Sequence, residues 1–247
     1  MLVLKEANIK CKVVKNVEIA RNIYEITLQG NISGIPGQFY MVRAWEALDP
    51  FLSRPLSISD IEGDTIRFVY EVKGKGTKEL SSMKTNEEVQ LMGPLGNGFT
   101  VKENMRSAVV SGGVGIAPMI YLLKQNHKMM DMFAGFREEP YLIDECNVHS
   151  KNLYVASEKG LGGIKGFVTE LINVEDYDVI YACGPYPMLK ALADVNKDKA
   201  ILYVSMEKYM ACGIGSCLGC TIQTRRGMRR VCKDGPVFEA KEVCFDE

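Results

Sequence analysis

Apolar residues in the first hundred positions fall in short alternating runs rather than long one-faced stretches. Runs at Cys11–Asn16, Ile23–Leu28, Gln38–Arg43, Leu56–Ser59, Thr65–Val72 and Val89–Met92 read as strands. Turn-forming residues separate them: Gly30-Asn31, Gly34 with Pro36-Gly37, Asp49-Pro50, Glu62-Gly63-Asp64 and Gly93-Pro94. One short helix fits at Lys78–Met83, with Thr77 as its N-cap. Six short strands and so little helix predict a six-stranded antiparallel β-barrel over residues 1–100.

The pattern then changes. Compact apolar runs at Ala108–Ser111, Met132–Phe136, Leu153–Ser157, Val179–Ala182 and Ile201–Met206 alternate with helical segments. Ile116, Met119, Ile120 and Leu123 recur at i, i+3, i+4 and i+7, and further helices fit around Phe167–Ile172 and Tyr186–Leu192. Strand–helix alternation predicts a five-stranded parallel α/β domain over residues 101–206, with any ligand outside the carboxyl ends of its strands.

Residues 207–247 follow neither pattern. Cys212, Cys217 and Cys220 stand in a C-x4-C-x2-C spacing among Gly213, Gly215 and Gly219, and Cys232 follows. That spacing suits a plant-type [2Fe–2S] cluster, whose sulfurs need closely approaching backbone N–H groups. Thr221–Thr224, the turn Arg225-Arg226-Gly227 and Met228–Val231 predict a hairpin that returns Cys232 to Cys220. Four cysteines also suit structural zinc, although zinc more often uses two separated pairs. Cys244 is the rival fourth ligand, in a tail beyond Pro236 that need not return; Cys11 and Cys146 lack ligand spacing and read as free thiols.

Composition narrows the setting. The 247 residues are 47% hydrophobic and 25% charged with a formal net charge of −1, which gives no sign of nucleic-acid binding. The amino-terminal stretch reads as no signal peptide, and no apolar run is long enough to span a bilayer. Eight cysteines in such a chain point to a cytoplasmic protein with metal or redox chemistry rather than disulfides. His127 and His149 sit in polar segments away from the cysteines and read as surface residues, which excludes a Rieske-type site.

Candidate cofactor contacts lie at the ends of predicted strands. Arg54-Pro55-Leu56-Ser57 offers a guanidinium for a diphosphate and a hydroxyl for a ring nitrogen. Gly74-Lys75-Gly76-Thr77 leads into the short helix and offers backbone N–H groups to phosphate, though it lacks the first glycine of a Walker loop. Gly112-Gly113-Val114-Gly115, with Pro118 beyond, follows the first parallel strand and reads as a dinucleotide diphosphate loop or as a tight turn. Cys183-Gly184-Pro185 ends a second strand on the same edge, where it would face a nicotinamide or serve only to turn the chain. Glu158 ends a third, where a carboxylate either accepts ribose hydroxyls and repels a 2′-phosphate, favouring NAD over NADP, or is an ordinary exposed glutamate.

Taken in order, R-P-L-S, S-G-G-V-G-I-A-P, Y-A-C-G-P-Y-P-M and the cysteine segment resemble the ferredoxin–NADP reductase superfamily. Within it the chain looks most like the electron-transfer subunits of NAD-linked dihydroorotate dehydrogenases. That likeness is sharpest at Glu71–Thr77, Gly93–Phe99, the C-x4-C-x2-C run and Cys232–Phe238. The resemblance implies an FAD-binding barrel, an NAD-binding domain and a [2Fe–2S] segment. Arg54 would hold the FAD diphosphate with Gly76 and Thr77, and Ser57 would stand near flavin N5. Val69, Tyr70 and Glu71 would line the isoalloxazine and ribityl region. Leu56 stands where many relatives carry a tyrosine that stacks on the flavin. The implied partner is an FMN-containing catalytic subunit, two of each forming a heterotetramer that oxidises dihydroorotate to orotate in pyrimidine biosynthesis.

Two other readings share these features. One is an NAD(P)H-linked flavin and iron–sulfur subunit of a hydrogenase, sulfur reductase or transhydrogenase. The other is a non-catalytic module with structural zinc. Arg225, Arg226, Arg229, Arg230 and Lys233 crowd the hairpin and read as a solvated face, or as charges that offset an anionic cluster or dock an acidic partner.

Overall fold

Period-two burial builds the first half of the computed structural model, which describes residues 8–126 and 130–245; His127 lies outside them. Strands β1 (Asn8–Ala20), β2 (Ile23–Gln29), β3 (Phe39–Arg43), β4 (Arg54–Glu62), β5 (Thr65–Glu71) and β6 (Glu88–Leu95) close into a barrel in the order β1-β2-β5-β4-β3-β6. All six pairings are antiparallel. Ile26, Leu28, Tyr40, Val42, Ile58, Phe68, Tyr70 and Leu91 fill the interior. The first strand is longer than its sequence pattern, because both its ends pair against neighbours although few of its side chains are buried. Helix α1 (Lys75–Ser81) starts three residues before the predicted segment. Gly74 is its N-cap, and Thr77 lies in its first turn with a hydroxyl that accepts from the Lys73 and Gly74 N–H groups.

The second half is a sheet whose five central strands are the predicted parallel set: β7 (Ser107–Gly112), β8 (Met130–Phe136), β9 (Leu153–Ser157), β11 (Val179–Cys183) and β12 (Ile201–Ser205). Two short edge strands enlarge it to seven, in the order β10-β9-β8-β7-β11-β12-β15. β10 (Ile164–Lys165) extends the parallel run, whereas β15 (Val237–Glu239) lies antiparallel against β12. Helix α2 (Ile116–Gln125) lies between the two halves, with Ile116, Met119, Ile120 and Leu123 in the core of the sheet and Ala117 and Tyr121 against the barrel, and α4 (Tyr186–Asn196) extends four residues past its predicted end. The helix expected at Phe167–Ile172 is a single 3-10 turn, Val168–Glu170. Helix α3 (Ile143–His149) buries only Cys146, too little apolar surface to leave a periodic signal.

The carboxyl segment is built onto both halves. β13 (Thr221–Thr224) and β14 (Gly227–Arg230) form the predicted hairpin with Arg225-Arg226 as its turn. The chain then enters the one-turn helix α5 (Val231–Asp234) instead of extending the strand through Val231. Phe39, Met41 and Leu95 of the barrel share one apolar core with Val204, Met206, Cys220, Ile222, Val231, Cys232 and Phe238. The cysteine segment therefore fills the seam between barrel and sheet.

Candidate redox and nucleotide site

The four spaced cysteines come together as two pairs. The Cys217 N–H lies 3.4 Å from Cys212 Sγ, the Gly219 N–H 3.5 Å from Cys217 Sγ, and the Cys232 N–H 3.4 Å from Cys220 Sγ. Burial acts to raise the Cys212 thiol, but N–H donors from Cys217, Ile214 and Ser216, together with the Cys217 thiol, outweigh it and bring it down to about 6. Burial and the neighbouring Cys220 thiol push Cys232 up to about 12, which marks a proton that a bound metal would displace. No three His, Cys, Asp or Glu side chains among the described residues close round a single ion. Two pairs of thiols, each with N–H donors on sulfur, fit a cluster in which each of two irons takes two protein ligands.

Local structure explains how the loop reaches this shape. Gly213 and Gly215 have φ of +72° and +83°, and a Cβ at Gly213 would come within 2.7 Å of Met41 Cγ. Glycine here lets the loop lie directly on the barrel wall. Arg230 donates from Nε and Nη2 to the Asp234 carboxylate, each at 3.0 Å, and from Nη1 to the Gly215 carbonyl at 3.1 Å, fixing the loop to the hairpin. Asn97 anchors the far side: its N–H donates to the Gly235 carbonyl at 2.7 Å, and its Nδ2 to Lys233 and Asp234 carbonyls. The two motifs Gly93–Phe99 and Cys232–Phe238 thus meet.

The tail does return, against the sequence expectation: Val243 bridges Thr224, and the Cys244 N–H donates to the Gln223 carbonyl at 3.2 Å. That places Cys244 partway along β13, whereas Cys232 lies on Cys220. Cys11 and Cys146 are buried free thiols, raised by desolvation to about 11 and about 12. His149 is half-buried at the end of α3 rather than fully exposed. Of the hairpin cations, Arg230 is taken by Asp234 and Arg226 pairs with Glu242 at 3.3 Å.

The candidate nucleotide residues also converge. β7 and β11 are neighbours, so Gly112 and Gly184 stand side by side at their carboxyl ends. A Cβ on Gly112 would lie 2.8 Å from Pro185 Cδ, and one on Gly184 would lie 2.9 Å from the Gly112 nitrogen. A Cβ on Gly115 would lie 2.3 Å from the Cys183 carbonyl oxygen, so α2 starts directly against that strand end. Gly113 has φ of +54° and open space where a Cβ would project. Val114 packs with Val69 and Ala117, joining this loop to the barrel, and Pro118 is buried in the first turn of α2. Glu158 is exposed after β9, its N–H bound to the Phe136 carbonyl at 3.0 Å.

On the barrel side, Arg54 and Ser57 are half-buried, as is Pro55, and Leu56 is buried in the barrel interior. Tyr70 turns its side chain inward. It shares the inward face with Phe68, is 1% exposed, stacks on Tyr24 at 5.9 Å and donates its hydroxyl to Asn16 at 3.2 Å. Its side chain belongs to the core, because alternation leaves Val69 and Glu71 to face outward. Glu71 pairs with Lys73 at 2.9 Å.

Glu207, which no spacing signalled, is a charged neighbour of both groups of residues. It follows β12 and keeps solvent contact, yet it lies within electrostatic reach of Cys183, Glu71 and Lys73. Desolvation holds its carboxyl above the ordinary range and Glu71 adds to the rise, while Lys73 opposes it. Cys183 itself is raised strongly by burial. The position of Glu207 just past the last parallel strand, β12, was the one available clue.

Comparison with known proteins fixes the family. Residues 207–244 match the iron–sulfur cluster binding domain of dihydroorotate dehydrogenase B. The electron transfer subunit of dihydroorotate dehydrogenase B (NAD(+)) from Clostridium acetobutylicum is 42% identical, over 99% of this chain and 100% of that protein. The chain belongs to this family. The Clostridium perfringens member is also 42% identical, over 96% of this chain and 98% of its own. A solved NADH-dependent reduced ferredoxin–NADP oxidoreductase, studied for flavin-based electron bifurcation, superposes with a TM-score of 0.84 at 28% identity, covering 96% of this chain and 90% of that one. As an electron transfer subunit, a family member works with a catalytic partner subunit. Among the described residues, no helix is long and apolar enough to cross a membrane.

Proposed function

We propose that this chain carries electrons from an FMN-containing dihydroorotate dehydrogenase subunit to NAD⁺, in a cytoplasmic heterotetramer of two of each serving pyrimidine biosynthesis. Three regions divide the work: residues 1–100 for FAD, 101–206 for NAD and 207–247 for a [2Fe–2S] cluster. The observation that carries the reading is the pair of thiol pairs, Cys212 with Cys217 and Cys220 with Cys232, seated on the barrel wall at Met41.

When bound, a flavin exchanges single electrons with an iron–sulfur cluster and a hydride with a nicotinamide, which is the conversion this relay needs. The chain's own residues bind and orient. Arg54 would hold the diphosphate of FAD, assisted by backbone at Gly76 and Thr77, and Ser57 would stand near flavin N5, with Pro55 and Leu56 shaping that strand. Val69 and Glu71 line the flavin with side chains, and Tyr70 with backbone alone. Gly112, Gly113, Val114 and Gly115 admit the nicotinamide dinucleotide close to the backbone, and Pro118 holds the start of α2. Cys183, Gly184 and Pro185 border the nicotinamide, and Glu158 accepts its ribose hydroxyls. No side chain is required as general acid or base.

Co-purification of the native complex tests the assignment. The expected result is a partner containing FMN and NADH formation that depends on dihydroorotate. A partner lacking FMN, or a complex without that activity, would overturn it in favour of another flavin and iron–sulfur assembly, the reading that the oxidoreductase superposition favours.

A further inference from the structure

The chain has a single tryptophan, Trp45, in the loop 44–53 between β3 and β4. Two guanidiniums lie over its ring: that of Arg43 at 5.3 Å from the ring centroid and that of Arg54 at 5.4 Å. The ring is fixed by the loop it belongs to. Its Nε1–H donates to the Pro50 carbonyl, and Arg43 donates to the Phe51 carbonyl at 2.6 Å and the Ala47 carbonyl at 2.8 Å. The opposite wall is drawn in as well. Lys75 at the start of α1 pairs with Asp49 of the loop at 2.5 Å. Gly76 leaves no gap beside the arginine: a Cβ there would lie 2.7 Å from Arg54 Cζ and 2.8 Å from Trp45 Cη2. Among the described residues, neither Arg43 nor Arg54 has a carboxylate at ion-pair distance, so the Arg54 charge rests on the indole face and on the Leu52 carbonyl.

A long flexible cation loses conformational freedom when it grips an anion, and that cost falls if the guanidinium is already laid down. A fixed indole face does this while leaving the outer N–H donors available. We infer that Trp45 is a positioning residue for FAD, acting through Arg54 to preset the grip on the diphosphate. This rests on the reading of Arg54 as the diphosphate ligand.

The test uses the full chain with its cluster, stripped of flavin and titrated with FAD and with riboflavin, which lacks the diphosphate, by flavin fluorescence. Trp45→Leu is expected to weaken FAD about five- to tenfold and to leave riboflavin unchanged. Trp45→Phe, which keeps a ring face but loses the bond to Pro50, is expected to stay within about twofold of the parent. In an Arg54→Gln background, Trp45→Leu should add no further loss, because the coupled partner is gone. Full additivity in the double variant, equal weakening of riboflavin, or a Phe variant as weak as the Leu variant would overturn the inference. If Arg54→Gln itself leaves FAD affinity unchanged, the diphosphate reading fails. If Arg54→Gln weakens FAD and Trp45→Leu does not, only the role of Trp45 fails.

Discussion

Arg67 on β5 and Glu145 on α3 join the barrel to the sheet through two hydrogen bonds, Nη1 to Oε2 at 2.9 Å and Nη2 to Oε1 at 2.7 Å. Lys124 on α2 lies 3.0 Å from the same carboxylate and also binds Asp60 of β4. With Arg67 and Glu145 only 16% and 20% exposed, this is a cross-domain clamp rather than a surface pair. Its consequence is geometric. The barrel residues around Arg54 and the strand ends at Gly112 and Cys183 belong to different halves, and hydride transfer requires about 3–3.5 Å between reacting atoms.

Burial alone would raise the Glu145 carboxyl, but bonding to Arg67 and Lys124 outweighs it and holds the group below the ordinary range. A depressed carboxyl adds stability above its unfolded pKa of about 4.3, and that stability is lost as pH falls through the lower folded value. Glu145→Gln should therefore cost about 1–3 kcal/mol at neutral pH, with a gap from the parent that narrows below about pH 4. Thermal unfolding across pH checks this; a constant gap down to pH 3 would contradict it.

The ligand assignment separates Cys232 from Cys244. Cys232→Ser should abolish or strongly alter the cluster's EPR signal and lower the iron content, whereas Cys244→Ser should leave both unchanged. An unchanged spectrum in Cys232→Ser would reverse the assignment.

Gly115→Ala tests the contact between the glycine loop and the strand end. The residue has ordinary helical backbone, so strain is not at issue; the added methyl would meet the Cys183 carbonyl at 2.3 Å. Backbone must move, at a cost of about 1–3 kcal/mol. If the glycine loop holds the nicotinamide dinucleotide, as proposed, NADH affinity should fall more than FAD affinity. Equal loss of both would show a general unfolding effect instead.

Glu158 sets the nucleotide choice if its carboxylate meets the ribose. Glu158→Arg should raise KM for NADH by about tenfold and improve the use of NADPH by a similar factor. Steady-state kinetics with both nucleotides decide it, and a parent that already uses NADPH as well as NADH would remove the role.

Much of this was written locally in the chain. Alternation marked the barrel strands, compact apolar runs marked the five central sheet strands, and cysteine spacing with a hairpin brought Cys232 to Cys220. Alternation also carried a warning about Tyr70, which shares its parity with Phe68 and so turns inward. What stayed hidden depends on distant partners. Strand β15 exists because β12 offers an edge, and Glu145 acquires its role only when α3 meets β5. Trp45 and Glu207 belong to no spacing motif; they gain meaning from Arg54 and Cys183, which the fold brings to them.

The central claim is that nicotinamide, FAD and a two-iron cluster are in electronic contact within this one chain. Anaerobic titration of the purified chain with NADH, followed by EPR, tests it most directly. The account predicts that NADH bleaches the flavin and generates the paramagnetic signal of a reduced [2Fe–2S] cluster, with two irons per chain. A chain that holds one zinc, or whose full complement of iron stays EPR-silent while the flavin is reduced, would contradict it.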